Sequence, residues 1–279
     1  MKIYTHNHVD IPALGYGTWQ LRGAECSSCV DLALSEGYRH IDTAQIYENE
    51  EEVGFAVSRS DVPRDEVFIT TKIWMDNLRD EDVRSSLEVS LKKLKTDYVD
   101  LLLVHWPVEA IPLEETMRAF EDVQQLGKTR LIGVSNFTVE QMKEVTDDLG
   151  VDIATNQVEY HPTLSQDPVL EFIHEKEMFL TAYSPLGRGK DLEAQSILDA
   201  AEAHNKTPGQ IALRWLVQQD RVAAIPKSSN PTRIKQNLDI FDFELTNDEM
   251  HRIARLAHEG GRLIDPEWAP EWNQVQKAG

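Results

Sequence analysis

Four ionisable side chains stand at or just past the ends of short apolar runs early in the chain: Asp42, Tyr47, Lys72 and His105. Asp42 closes Gly37-Tyr38-Arg39-His40-Ile41-Asp42, and Tyr47 follows five residues later, ahead of a helix start at Asn49. Lys72 ends a second apolar run, and His105 follows Leu101-Leu102-Leu103-Val104. A phenol with its ordinary pKa of about 10 is a poor acid at neutral pH. A neighbouring ammonium favours the phenolate, so Lys72 is expected to lower the pKa of Tyr47, with Asp42 holding Lys72 in place. His105 can donate a hydrogen bond to a carbonyl oxygen, and Tyr47 can protonate that oxygen as charge develops on it. This set suits reduction of a carbonyl by hydride. It contains no hydride, so a cofactor must supply one. Each residue also has a structural reading: Asp42 as a turn or cap, Lys72 as a surface lysine, His105 as a satisfied core histidine. Four such groups at successive strand ends favour one shared site.

The elements that must position them repeat along the chain. Short apolar strands are expected near 14–17, 39–42, 67–72, 99–105, 130–135, 153–159, 179–184 and 222–226, each followed by a polar loop and an amphipathic helix. Continuous apolar runs are expected of parallel strands buried on both faces. Helix starts are marked by capping-box spacings at Asn49/Glu52, Thr138/Gln141, Thr207/Gln210 and Thr246/Glu249. Pro112, Pro168 and Pro208 fall where a first helical position belongs, and Gly127 and Gly150 where helices end. Val83, Leu87, Leu91 and Leu94 form the apolar stripe of the third helix. A short hairpin is expected from residues 2–4 and 9–11, and an additional helix over 247–257. Eight strand–helix units in one domain, 1–279, give an α/β fold of the (β/α)₈ TIM-barrel type. The rival, a doubly wound sheet, would carry Gly-x-Gly-x-x-Gly after its first strand; Gly15-Tyr16-Gly17-Thr18-Trp19-Gln20 lacks the third glycine. In a barrel the C-terminal strand ends share one pocket. They bring together Thr18 and Trp19, Asp42 and Tyr47, Lys72 and Trp74, His105 and Trp106, Ser135 and Asn136, Gln157 and Tyr160, Tyr183 and Ser184, and Lys227 and Ser228.

Composition narrows the partners. The formal charge is −20, from 48 acidic and 28 basic residues scattered rather than gathered into a tail. That argues against nucleic acid and anionic membranes. An acidic surface is first a solubility device, and here it is read as adaptation to a salt-rich cytoplasm. No apolar run reaches a membrane span, and the N-terminus has no signal-peptide core, so the protein is expected in the cytoplasm; a monomer is expected, without a sequence feature that determines it. Cys26 and Cys29 have Cys-x-x-Cys spacing but sit in the early turns of a helix without a small thioredoxin-type unit, which favours plain packing over redox chemistry. His6 and His8 are expected to be solvated, and His40, His105 and His161 form no metal-binding pattern, so no metal is expected.

The motifs extend over nearly the whole chain. Gly15-Tyr16-Gly17-Thr18-Trp19, Gly37 to Ala44 through Tyr47, Thr71-Lys72-Ile73-Trp74, Leu103-Val104-His105-Trp106-Pro107, Ile132 to Phe137, Asn156-Gln157, Ala182 to Leu186, and Ile225-Pro226-Lys227-Ser228 through Arg233 and Asn237 occur in order. In this the chain resembles the aldo-keto reductases. The resemblance implies a catalytic tetrad of Asp42, Tyr47, Lys72 and His105, and a nicotinamide cofactor bound without a Rossmann fold. It implies that Ser135, Asn136 and Gln157 hold the carboxamide, that Tyr183 stacks on the nicotinamide, and that Ser184 to Leu186 border the pyrophosphate. Gly17, Thr18 and Asp42 are counted among the cofactor contacts. Lys227, Ser228 and Arg233 match the positions that take a 2′-phosphate, which needs cations and hydroxyls, so NADPH is expected over NADH. Gln236 and Asn237 are expected at the adenine. Trp19, Trp74 and Trp106 with His105 would line the pocket for a small carbonyl substrate, an aldehyde, ketone or sugar. The alternatives are a diketo-acid or sugar-acid reductase and a non-enzymatic NADPH-binding regulatory subunit. Trp268 and Trp272, in the C-terminal tail, have no assignment from sequence.

Overall fold

The run Val99–Val104 offers no polar face, and in the computed structural model, which describes residues 2–189 and 191–273, all of it is buried. It is strand β6 of an eight-stranded parallel sheet. The hairpin β1 (Ile3–His6) and β2 (Val9–Pro12) comes first. The sheet then runs β3 (Tyr16–Gly17), β4 (His40–Asp42), β5 (Phe68–Ile73), β6, β7 (Thr129–Ser135), β8 (Thr155–Glu159), β9 (Phe179–Tyr183) and β10 (Val222–Ala224), each beside its neighbour in sequence. The two edges meet. Leu14 bridges Ala224, Gly15 N donates to Ala224 O (2.8 Å), Ala224 N to Ala13 O (2.8 Å) and Gly17 N to Pro226 O (3.0 Å). The sheet is therefore a closed barrel, which leaves no exposed edge. Gly17 is needed there: a Cβ would lie 2.8 Å from the Ile225 carbonyl oxygen.

Inside the barrel, Phe68, Leu101, Leu103, Leu131 and Phe179 pack together, and Val9 and Ile11 of the hairpin close this cluster. The helices cover the outside: α1 (Gly23–Glu36), α2 (Glu50–Arg59), α3 (Asp80–Leu94), α4 (Leu113–Gln125), α5 (Val139–Lys143), α6 (Asp167–Glu175), α7 (Gln195–His204), α8 (Pro208–Gln218), α9 (Pro231–Leu238) and α10 (Asn247–Ala254). The expected stripe of α3 is buried. The crossover from β9 to β10 carries two helices, α7 and α8; the first had no cap signal in the sequence. The extra C-terminal helix is α10, three residues shorter than its sequence pattern suggests.

Three of the four capping boxes form, at Thr138, Thr207 and Thr246. The fourth does not. Asn49 precedes α2, but its amide donates to Thr18 O (2.9 Å) and Leu21 O (3.0 Å) and accepts from the Thr43 hydroxyl (2.7 Å). A residue that can cap a helix is here spent on tying the β3 and β4 exit loops together. Pro112 is also displaced, standing just before the first turn of α4. Among the described residues no helix is long and apolar enough to cross a membrane.

Candidate active site

The C-terminal strand ends surround a cavity of about 760 Å³. At its floor Lys72, on β5, is fully buried, with its Nζ 2.6 Å from Asp42 Oδ1 on the neighbouring β4. The same ammonium donates to Thr43 O (2.8 Å) and lies 3.4 Å from the Tyr47 hydroxyl. Asp42 has a second partner that the sequence did not announce: Gln157, on β8, donates its amide N–H to Oδ2 at 2.9 Å. The buried carboxylate thus has both oxygens engaged, as a buried charge requires. Tyr47 sits on the short turn Gln45–Tyr47 between β4 and α2, with Arg22 donating to its carbonyl. Its ring packs on Trp19 (4.8 Å between centroids) and against His105 (5.7 Å), and Trp74 meets His105 edge-on at 5.2 Å.

The electrostatics correct one expectation. The Tyr47 phenol is held well above its ordinary pKa, first by burial and then by the Asp42 carboxylate and Tyr183. The Lys72 ammonium, 3.4 Å from the hydroxyl and paired with Asp42, does not outweigh them. Burial also pulls the Lys72 pKa below its usual value, against the pull of Asp42. His105 is held well below the usual imidazole range by burial and then by Lys72, so it is neutral at pH 7. Its Nδ1 is buried without a hydrogen-bond partner among the described residues. A neutral imidazole carries one N–H to donate, and the phenol carries its proton. The floor therefore presents two donors over a buried ion pair.

Around the floor, Asn136 donates to His105 O (3.0 Å) and Ser135 Oγ (3.1 Å), and its Oδ1 accepts from the Tyr183 hydroxyl (2.8 Å). Ser135 donates to Gln157 O (2.8 Å). These three side chains, expected to hold a carboxamide, are brought together, but in this structure they bond mainly to one another and to Asp42. Asn136 and Ser184 both have left-handed backbone, φ 64° and 48°. Gly17, Trp19, Trp74, Trp106, Tyr183, Ser184, Leu186 and Lys227 all line the cavity. Thr18 does not: its backbone N–H and hydroxyl both donate to Asp42 O, so it braces the strand end instead. Ser228, Arg233, Gln236 and Asn237 lie past the cavity lining, on the exit of β10 and on α9. Cys26 and Cys29 are buried free thiols in α1, with burial pushing Cys26 up to about 12, which leaves no thiolate for redox chemistry.

The resemblance implies that the C-terminal segment helps set specificity, but the sequence did not say which tail residues would reach the site. Leu263, Ile264, Asp265, Pro266 and Trp268 form one wall of the cavity, and Trp272 packs its ring against Trp106 (6.0 Å). A tail without periodicity carries no signal of where it folds back. Gln20, Ile46 and Arg188 also line the cavity.

Residues 13–258 match the model of the aldo/keto reductase family. The chain is 42% identical to glyoxal reductase of Bacillus subtilis over 252 residues, covering 90% of this chain and 91% of that protein. It is also 42% identical to methylglyoxal reductase DkgB of Salmonella typhi, over 94% of this chain and 99% of the relative. Among solved structures, a variant of Gox0644 in complex with NADPH superposes with a TM-score of 0.89 at 34% identity, covering 95% of this chain and 96% of that one. On this evidence the chain belongs to the aldo/keto reductase family.

Proposed function

We propose that this protein uses NADPH to reduce small aldehydes and α-dicarbonyl compounds to alcohols, with Tyr47 giving the proton. The observation that carries the reading is the floor of the cavity: a protonated phenol and a neutral imidazole beside a buried Lys72–Asp42 pair. The relatives named glyoxal and methylglyoxal reductase support the substrate class. So do the aromatic walls of Trp19, Trp74 and Trp106, which exclude water from a small carbonyl.

The residues present fit NADPH. The cavity is lined in turn by Tyr47, Tyr183, Ser184–Leu186 and Lys227, residues of the kinds that meet the ring and the phosphates of a dinucleotide. Lys227 and Arg233 are exposed and have no carboxylate partner among the described residues, in a chain with 48 acidic side chains. Cations left unpaired on such a surface are suited to a phosphate. Tyr183, Asn136, Gln157 and Ser135 would hold the nicotinamide end, and Ser228, Arg233, Gln236 and Asn237 the far end. When bound, NADPH supplies a hydride to the carbonyl carbon. The chain's own groups do the rest. His105 orients the carbonyl oxygen by donating a hydrogen bond, and Tyr47 protonates it as negative charge builds. The Lys72 ammonium stabilises the phenolate left on Tyr47, and Asp42 keeps that ammonium in place.

NADPH oxidation with methylglyoxal tests the activity: turnover supports it, and tight NADPH binding without turnover on any carbonyl would favour a regulatory subunit. Replacing Lys227 and Arg233 together by Ala is expected to weaken NADPH about 10²-fold or more while changing NADH little. Equal loss for both cofactors, by fluorescence titration, would contradict the 2′-phosphate assignment.

A further inference from the structure

Glu159 ends β8, is fully buried, and takes no part in the chemistry above. Both oxygens of its carboxylate are nevertheless engaged. Oε1 accepts from His161 Nε2 (2.9 Å) and from the backbone N–H of Leu263 (2.8 Å), and Oε2 accepts from the backbone N–H of Ile264 (2.9 Å). Leu263 and Ile264 begin the stretch of tail that walls the cavity. The loop after β8 is fixed from the same residue, since Gln166 Nε2 donates to Glu159 O at 2.7 Å. Just upstream, His258 N donates to Thr163 O (3.1 Å), and Gly261 crosses so close to that carbonyl that a Cβ would fall 1.9 Å from it. Past the anchor, Trp272 donates to Asp265 Oδ1 (2.8 Å), and Arg262 lies 3.8 Å over the Trp272 ring. On the other side, Glu159 is the register partner of Tyr183, which lines the cavity.

We propose that Glu159 is a positioning residue for carbonyl reduction: by gripping the backbone of Leu263 and Ile264 it fixes the tail as the substrate wall. This rests on reading the cavity as the substrate's. The physical argument is the donor pattern. Two adjacent backbone N–H groups converge on one buried carboxylate, and such charge-assisted bonds are stronger than neutral ones. A tail held only by side-chain packing would need no carboxylate at the end of a barrel strand. Backbone donors also make the grip independent of which side chains the tail presents, so the wall's chemistry can differ while its place does not.

Glu159→Gln keeps the shape but turns an amide N–H toward one of the tail's N–H groups, so one bond is lost. The expected result is a KM for phenylglyoxal raised about tenfold, with kcat and the NADPH Kd each within about threefold. Trypsin should also cut faster between Arg262 and Leu263 in the folded protein. Gly261→Ala pushes the same hinge off the Thr163 carbonyl while leaving Glu159 itself unchanged, and should give the same pattern, which keeps the test open if Glu159→Gln fails to fold. In the Glu159→Gln/Trp268→Ala double variant the two KM effects should be less than additive, because both act through one wall. Unchanged KM and unchanged cleavage in Gly261→Ala would overturn the proposal. So would parallel loss of NADPH affinity, which would make Glu159 part of the cofactor shelf. The cleavage assay needs no substrate, so it judges the grip even if the unmodified protein reduces no carbonyl offered.

Discussion

At the residue scale the proposed acid, Tyr47, is set by what surrounds it. Tyr47 keeps its proton because burial and Asp42 both disfavour the phenolate. A proton donor must be protonated to act, so a raised pKa extends its working range upward. Reductive kcat is therefore expected to stay level from about pH 6 to about pH 9, with no alkaline fall from Tyr47. His105 adds no acid fall near its ordinary pKa, because burial keeps it neutral there. Pre-steady-state reduction rates across that range check both statements, and a tenfold decline between pH 7 and pH 9 would contradict the first. That Tyr47, Lys72, Asp42 and His105 meet at one place was legible in the sequence: Asp42, Lys72 and His105 stand at or just past strand ends, and Tyr47 on the loop after Asp42. The sign of the Tyr47 shift was not. It depends first on how deeply the fold buries the phenol, and then on the nearby Asp42 carboxylate and Tyr183. Thr18 shows the same limit: spacing placed it at a strand end but not the direction of its hydroxyl.

At the scale of elements, all eight barrel strands could be read from the sequence, β6 most clearly as an apolar run, and three helix starts from capping boxes. Asn49 had the same spacing yet joins two loops instead, since a side-chain amide can meet three partners that a hydroxyl cannot. This gives a discriminating variant. Asn49→Ser keeps a good capping residue but removes the bridges to Thr18 and Leu21, and is expected to destabilise the fold by about 1–3 kcal/mol. Urea unfolding measures it, and an unchanged midpoint would return Asn49 to a simple cap. The tail, residues 261–273, was silent in the sequence because its place comes from Glu159, a residue 102 positions before its first contact-making stretch begins at Gly261. Contacts made by backbone N–H groups leave no trace in side-chain pattern.

For the whole molecule, barrel closure and charge matter most. The closure rests on short strands, β3 and β10, supported by backbone bonds through Ala13, Gly15 and Gly17. The chain carries a formal net charge of −20. Raising KCl from about 0.1 M to about 1 M shortens the screening length from about 10 Å to about 3 Å and relieves that self-repulsion. The melting temperature is expected to rise with KCl, and a flat response would remove the argument for a salt-adapted protein. The account as a whole stands on one step, the passage of a proton from Tyr47 to the carbonyl oxygen. Tyr47→Phe keeps the ring against Trp19 and His105 and deletes only the hydroxyl that carries that proton. Methylglyoxal-dependent NADPH oxidation by this variant, measured alongside NADPH affinity, is the most direct test. The predicted result is a kcat lowered about 10²–10⁴-fold with NADPH affinity nearly intact; turnover within a few-fold of the unmodified protein would contradict it.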